Sequence, residues 1–134
     1  PAPARNGRIA PGKARFTAAC PSILFRGGKP EIVLGAPGGT QIAMGVLQAI
    51  LNVVDHRMGM QEAVAAPRFS STSNIIDISN RIPRFVSKPL EDLGYHVVRN
   101  PFGYTIASVH AIRIEGDCLK GGVDPGRDGV AYEA

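Results

Sequence analysis

Apolar residues recur along the chain in short runs separated by segments rich in glycine and proline. Two such runs, residues 22–25 and 31–34, flank turn-forming residues at 26–30. This arrangement predicts a β-hairpin. Because apolar residues are consecutive within both strands, we expect both faces of the hairpin to be covered.

A long helical pattern follows the hairpin. Apolar residues at 42, 46, 47, 50, 53 and 54 have helical spacing. Thr40 stands where an N-cap is expected. The helix is apolar around much of its circumference, so we expect it at the centre of the core, with close packing at Gly45.

The remaining pattern predicts five shorter elements: a helix over 60–66, a strand over 75–78, a helix over 87–93, a strand over 95–98 and a longer strand over 105–114. Ser87 is the expected cap of the second short helix, and Gly94 its end. The fold class predicted from these elements is α+β, a mostly antiparallel sheet with packed helices.

Composition divides the 134 residues into an arm and one domain. Residues 1–15 are rich in proline, glycine and arginine and predict a linker or extended arm, whereas residues 16–134 carry the predicted elements. The net charge is +4, but the basic residues of the arm have no periodicity, and beyond Lys29 both signs intermix. A nucleic-acid binder concentrates positive charge on one face, so no nucleic-acid partner is expected. No apolar run reaches the roughly 20 residues of a membrane span, so no membrane partner is expected either.

Metal and cofactor chemistry has no support in the residue pattern. Cys20 and Cys118 lie almost a whole chain apart, without the spacing of zinc ligands. They are interpreted as small buried thiols, with one disulfide between them as the alternative. The carboxylates and the three histidines are scattered, so no metal and no cofactor is expected.

The segment from Gly35 to Thr40, Gly-Ala-Pro-Gly-Gly-Thr, joins a predicted strand to the central helix. Glycines at a helix start let a ligand approach unpaired backbone N–H groups, which favour negative charge. Such a turn can hold a phosphate, a carboxylate or the oxyanion of acyl transfer. The alternative is a tight turn without a ligand.

Six segments in order resemble the γ-glutamyltranspeptidase family. They share the family's sequence pattern at residues 16–24, 34–42, 46–55, 62–69, 90–97 and 123–131. The second segment, Leu-Gly-Ala-Pro-Gly-Gly-Thr-Gln-Ile, is similar to the family's Gly-Ser-Pro-Gly-Gly-Ser-Arg-Ile, and the last contains Asp-Pro-Gly-Arg-Asp-Gly. Any one match is weak, but six in the right order are specific.

The resemblance implies part of an N-terminal nucleophile hydrolase, an αββα sandwich of two chains cut from one precursor. The family's nucleophile is the N-terminal threonine of the small chain, whose free amine can serve as base. The match begins after that residue, so we expect the C-terminal part of a small subunit, in which Thr17 and Thr40 are not the nucleophile. The activity implied is transfer of a γ-glutamyl or related acyl group from glutathione-like amides to water or an amine.

Four residues match family positions with a role. Gly38 and Gly39 match the pair whose N–H groups form the oxyanion hole, and Thr17 and Ala18 match the serines that hold the substrate carboxylate. Because Ala18 has no hydroxyl, one hydrogen bond to a γ-glutamyl group is missing, which suggests a divergent acylase acting on another amide. Arg68 is expected to form an ion pair that holds a loop.

Three expectations follow for the chain by itself. It is inactive without the nucleophile, and its partner is the rest of the same precursor. Without that partner an apolar sheet face or edge is exposed, so the isolated chain can form a homodimer. The alternative is a non-catalytic family remnant, or a module for anion binding or assembly.

Overall fold

Two β-sheets and three α-helices make up the residues that the computed structural model describes, which are 10–14, 16–71, 74–102 and 106–131. The elements follow in the order β1 (Ser22–Arg26), β2 (Lys29–Gly35), α1 (Ile42–Val54), α2 (Met60–Ala65), β3 (Phe69–Ser70), β4 (Ile75–Ser79), α3 (Arg84–Asp92), β5 (His96–Asn100), β6 (His110–Glu115) and β7 (Cys118–Val123). Most of the predicted arm lies outside the described residues, so its boundary stays a prediction.

The larger sheet has the order β1-β2-β6-β7, and every pairing in it is antiparallel. Strands β1 and β2 form the predicted hairpin. Gly27 and Gly28 join them with φ of 57° and 78°, the left-handed conformation that a two-residue hairpin turn requires. The hairpin prediction is therefore confirmed.

The smaller sheet has the order β3-β4-β5. Strands β3 and β4 are antiparallel, whereas β4 and β5 are parallel and are connected through α3. Parallel neighbours need such a crossover because a tight turn can only reverse the chain. The prediction of a mostly antiparallel sheet holds for every pairing but this one.

The core lies between the larger sheet and the helices α1 and α2. Its buried apolar side chains come from β2, both helices, β6 and the segment that leads into β6: Ile32, Leu34, Ile42, Val46, Ala49, Val53, Met60, Ala63, Val64, Val109 and Ala111. Helix α1 contributes four of them, in agreement with its predicted central position.

The opposite face of the larger sheet is apolar and exposed. Ile23 pairs with Val33, and Val33 pairs with Ile112, so the three side chains form a row across β1, β2 and β6. Their exposed fractions are 54%, 40% and 45%. The expectation that both faces of the hairpin are covered is therefore wrong for the described part of the chain, whose helices pack on one face of the sheet.

Both predicted N-caps are wrong. Thr40 lies inside a 3₁₀ turn, Gly39–Gln41, and α1 begins after it at Ile42 without a side-chain cap. Helix α3 begins at Arg84, so Ser87 lies within it. There the buried Ser87 hydroxyl donates to the carbonyl of Arg84 (3.2 Å) and accepts from the Arg99 guanidinium (2.7 Å).

The strand predicted over 105–114 is shorter in the structure. It begins at His110, whereas 106–109 are all buried outside any strand, and residue 105 lies outside the described residues. These four residues do not alternate between a covered and an exposed face because they pass beneath the start of α1, as described below. Apolar spacing alone therefore overstated the length of the strand.

Both cysteines are free thiols. Cys20 is half-buried and Cys118 is exposed, so the expectation of two buried thiols is wrong, as is the alternative of a disulfide. Within the described ranges, no helix has the length and apolar character needed to cross a membrane.

Candidate functional site

The turn between β2 and α1 is built on two glycines with unusual backbone angles. Gly38 has φ 153° and ψ 14°, and Gly39 has φ 58°, both in regions that side-chain-bearing residues rarely adopt. The Gln41 N–H donates to the carbonyl of Gly38 (3.2 Å), and the Ile42 N–H donates to that of Gly39. Helix-starting N–H groups have no intrahelical acceptor. Among the described residues, the N–H groups of Gly38 and Gly39 donate to no backbone carbonyl.

The segment 106–109 supports this turn from below. The Ser108 N–H donates to the carbonyl of Pro37 at 3.1 Å. A Cβ placed on Gly38 would lie 2.6 Å from both Cα and Cβ of Ala107, and a Cβ on Gly45 would lie 2.9 Å from the Ala107 Cβ. Both positions therefore require glycine, and the predicted close packing at Gly45 is confirmed.

The predicted substrate residues lie beside the turn. Thr17, Ala18 and Gly39 line one open depression of about 470 Å³, together with residues 19–21, 35–36 and 42. Gly38 is the neighbouring residue of the turn but is not part of this lining. Three of the four predicted site residues are thus brought together, although 17–18 and 39 belong to separate segments.

Local hydrogen bonds fix the segment that carries Thr17 and Ala18. The Thr17 Oγ1 accepts the Ala19 N–H at 3.1 Å, which leaves the hydroxyl hydrogen available to another acceptor. The Ser22 hydroxyl donates to the carbonyl of Cys20 at 3.2 Å. Both bonds join residues two apart, and the second connects the segment to Ser22 at the start of β1.

The predicted ion pair of Arg68 is present and buried. Its guanidinium contacts the Asp124 carboxylate, and each side chain is 5% exposed. Arg68 also donates to the carbonyl of Val64 at 2.6 Å, and Asp124 Oδ1 accepts the Gly126 N–H at 2.8 Å. Burial, together with nearby Arg81, lowers the pKa of Arg68 to about 10, so the guanidinium remains charged at neutral pH. The pair ties the end of α2 to the closing loop, as expected.

Sequence reasoning missed the supporting residues Ala107 and Ser108. The spacing of apolar residues at 106–109 fits a strand as well as a buried segment outside a strand, so no signal in the sequence points to them. His56 and His96 are exposed and His110 is half-buried. Within the described ranges, no group of three or more His, Cys, Asp or Glu residues is placed to hold a metal ion.

Comparison with known proteins identifies relatives over nearly the whole chain. The sequence model described as Gamma-glutamyltranspeptidase matches residues 2–134. The Acylase ACY 1 proenzyme of Pseudomonas sp. (strain SE83) is 42% identical over 101 residues, which cover 75% of this chain and 18% of the relative. The Glutathione hydrolase proenzyme of Pseudomonas aeruginosa is 31% identical over 127 residues, which cover 91% of this chain and 22% of the relative. The chain thus spans about a fifth of the length of these relatives.

A solved structure has the same fold. The γ-glutamyltranspeptidase of Pseudomonas nitroreducens complexed with L-DON superposes with a TM-score of 0.83 at 30% identity, over 94% of this chain and 67% of that one. The likeness confirms the expected α+β class and the N-terminal nucleophile hydrolase architecture.

Proposed function

Since the chain belongs to the γ-glutamyltranspeptidase family, we propose that it forms part of an amidohydrolase or acyltransferase and supplies the oxyanion hole of that enzyme. The observation that carries this proposal is the Gly38–Gly39 turn, whose N–H groups have no carbonyl acceptor among the described residues. The turn stands at a helix start, where the helix dipole adds positive potential. It also borders the depression that Thr17 and Ala18 line.

The reaction that fits this arrangement is acyl transfer through a covalent ester. A threonine hydroxyl attacks the carbonyl carbon of the substrate amide, its proton passes to a base, and the carbonyl oxygen becomes an oxyanion. The N–H groups of Gly38 and Gly39 stabilise that charge. The C–N bond then breaks, the amine leaves with the proton, and water or an acceptor amine cleaves the ester.

The nucleophile belongs to another part of the precursor in this proposal. Thr17 and Thr40 are internal to the chain and have no free amine to serve as base. Two relatives are named proenzymes, which supports a precursor that is cleaved. Without the nucleophile from the rest of that precursor, we expect residues 1–134 to be inactive.

The partner proposed for the exposed sheet face is the remainder of the same precursor. The row Ile23, Val33 and Ile112 is apolar and in register, as a surface that packs on a second sheet would be. In the absence of the partner, two copies can cover the same row, which gives a homodimer.

The first test is the intact mass of the precursor expressed with its upstream region. Splitting into two chains, the smaller beginning with threonine and containing the sequence described here, supports the proposal. A single uncut chain that hydrolyses no amide contradicts it and favours a non-catalytic assembly role.

The second test probes the turn with matched variants. Gly39→Ala and Gly27→Ala add the same methyl group at φ of 58° and 57°, and neither methyl has an atom within 4 Å. Both therefore carry a similar backbone strain of about 1–2 kcal/mol. Gly39→Ala should lower kcat by at least about tenfold because it displaces an oxyanion donor, whereas Gly27→Ala should not. Equal kcat in the two variants would exclude the turn from catalysis.

A further inference from the structure

The peptide groups that contain the Gly38 and Gly39 N–H groups are both held at their carbonyl ends. The carbonyl of Pro37, which shares a peptide group with the Gly38 N–H, accepts the Ser108 N–H at 3.1 Å. The carbonyl of Gly38, which shares a peptide group with the Gly39 N–H, accepts the Gln41 N–H at 3.2 Å. Both proposed oxyanion donors therefore belong to peptide groups whose other end is already hydrogen-bonded.

A hydrogen bond to the carbonyl fixes the direction of the N–H in the same peptide group. A trans peptide group is planar, so its C=O and N–H bonds point in opposite directions. Among the described residues no peptide bond is cis. Because the Pro37 carbonyl points at the buried Ser108, the Gly38 N–H points away from segment 106–109. The same bond polarises the peptide group and makes this N–H a stronger donor.

The two donors differ in the origin of their support. The Gly39 N–H is oriented by a bond within the turn itself, whereas the Gly38 N–H is oriented by Ser108, which lies far away in sequence. Ala107 brings that residue into reach. A Cβ on Gly38 would lie 2.6 Å from Cα and Cβ of Ala107, so the two backbones are in direct contact. The Ala107 methyl also packs against Gly45, which fixes it between the turn and α1.

We propose that Ser108 and Ala107 are positioning residues of the oxyanion hole. The Ser108 N–H orients and polarises the Gly38 donor, and Ala107 holds the two segments at the distance that this bond requires. Neither residue touches the substrate, because Ala107 is 1% and Ser108 0% exposed. This inference rests on the proposed function and goes beyond it by assigning the orientation of one N–H group to a buried segment outside the turn.

The direct test removes one N–H group and keeps the side chain. In the self-processed full-length enzyme, nonsense suppression replaces Ser108 by the α-hydroxy acid of serine, which puts an ester oxygen in place of the N–H. The substrate is γ-glutamyl or glutaryl p-nitroanilide, whichever the parent enzyme hydrolyses faster. We expect kcat per active site, counted by acyl-enzyme titration, to fall by at least about tenfold with KM unchanged, because oxyanion donors act in the transition state.

The matched control makes the same exchange at Asn80. Its N–H donates to the carbonyl of Asn100, also at 3.1 Å, outside the Gly38–Gly39 turn and segment 106–109. The ester at Asn80 should leave kcat per active site unchanged.

A second pair of variants decides the matter if the ester at Ser108 prevents folding. Ala107→Gly removes the methyl that packs against Gly38 and Gly45, and Ala111→Gly removes a methyl of similar burial from β6. Both variants should be less stable than the parent. Only Ala107→Gly should lower kcat per active site, by about threefold or more, because small displacements of catalytic groups are costly. A merely structural role would reduce the number of active sites in both variants and leave kcat unchanged.

The outcomes separate this inference from the function beneath it. Equal kcat in the two ester variants overturns the role of Ser108, and equal kcat in the two glycine variants overturns that of Ala107. Both results leave the proposed function standing if the enzyme is self-processed and loses activity in Gly39→Ala. A precursor that neither splits nor hydrolyses either anilide overturns the proposed function and takes this inference with it.

Discussion

Replacing Gly45 by alanine tests whether α1 depends on close contact with the segment beneath it. Gly45 is buried in α1, and a methyl group there would lie 2.9 Å from Cβ and 3.3 Å from the carbonyl oxygen of Ala107, and 3.6 Å from Cγ2 of Val109. Carbon atoms pack best at about 3.5–4.0 Å. The methyl therefore fits only if the helix or Ala107 moves.

Two opposing effects set the magnitude. Alanine is favoured over glycine within a helix by about 1 kcal/mol, whereas overpacking a well-packed core costs about 1–3 kcal/mol. The free energy of unfolding should therefore fall by up to about 2 kcal/mol rather than rise by about 1 kcal/mol. Ala43→Gly, on the exposed face of the same helix, measures the first effect alone and should lower stability by about 1 kcal/mol.

Urea unfolding of the full-length protein measures these differences, and a double-mutant cycle with Ala107→Gly assigns the cause. Ala107→Gly removes the methyl group that the new side chain meets, so the double variant should be more stable than the sum of the single effects predicts. A Gly45→Ala variant that is more stable than the parent, with additive behaviour in the cycle, would refute the close contact.

Three further changes have defined outcomes. Asp124→Asn leaves the charge of Arg68 buried without its partner, so the free energy of unfolding should fall by about 3–5 kcal/mol in urea titrations. A loss below about 1 kcal/mol would contradict the buried pair. Val33→Lys in the isolated chain should shift sedimentation from dimers or aggregates to monomer, and an unchanged distribution would contradict association through the sheet face. A hydrogen bond from Arg26 lowers the pKa of Glu31 in the folded protein below its ordinary 4.5. Glu31 therefore stabilises the fold above pH 4.5, and this stabilisation is lost as the pH falls through the folded pKa. Glu31→Gln should therefore flatten the decline of unfolding free energy in acid, and an identical decline would exclude this contribution.

The sequence predicts well those features that depend on neighbouring residues. The hairpin at Gly27 and Gly28 and the helix around Gly45 follow from turn chemistry and apolar spacing, which act over a few residues. Both predicted caps are wrong because each residue lies inside a helical element rather than before it. Thr40 is part of the 3₁₀ turn that begins at Gly39, and the buried Ser87 hydroxyl accepts a hydrogen bond from Arg99 within α3.

The candidate site depends on contacts that local pattern does not encode. Resemblance to a family pointed to Thr17 and Ala18, whereas Gly39 followed both from the resemblance and from the chemistry of the glycine turn. The structure places all three around one depression. Ala107 carried no such signal because its neighbour Gly38 lies far away in sequence. Apolar spacing at 106–109 is equally compatible with a strand and with a buried crossing segment, and only tertiary packing decides between them.

A chain of contacts connects the closing loop to the Gly38–Gly39 turn, which argues that the buried ion pair also acts on catalysis. The Asp124 N–H donates to the carbonyl of Val109 at 3.1 Å, and one residue earlier the Ser108 N–H donates to Pro37 at 3.1 Å. Asp124 is itself held by Arg68. If the pair merely stabilised the fold, Asp124→Asn would reduce the amount of folded enzyme and leave kcat per folded molecule unchanged. Because 106–109 lies between the pair and the turn, we instead expect kcat per active site, counted by acyl-enzyme titration, to fall together with stability. An unchanged kcat in a destabilised variant would show that Asp124 contributes to stability and not to catalysis.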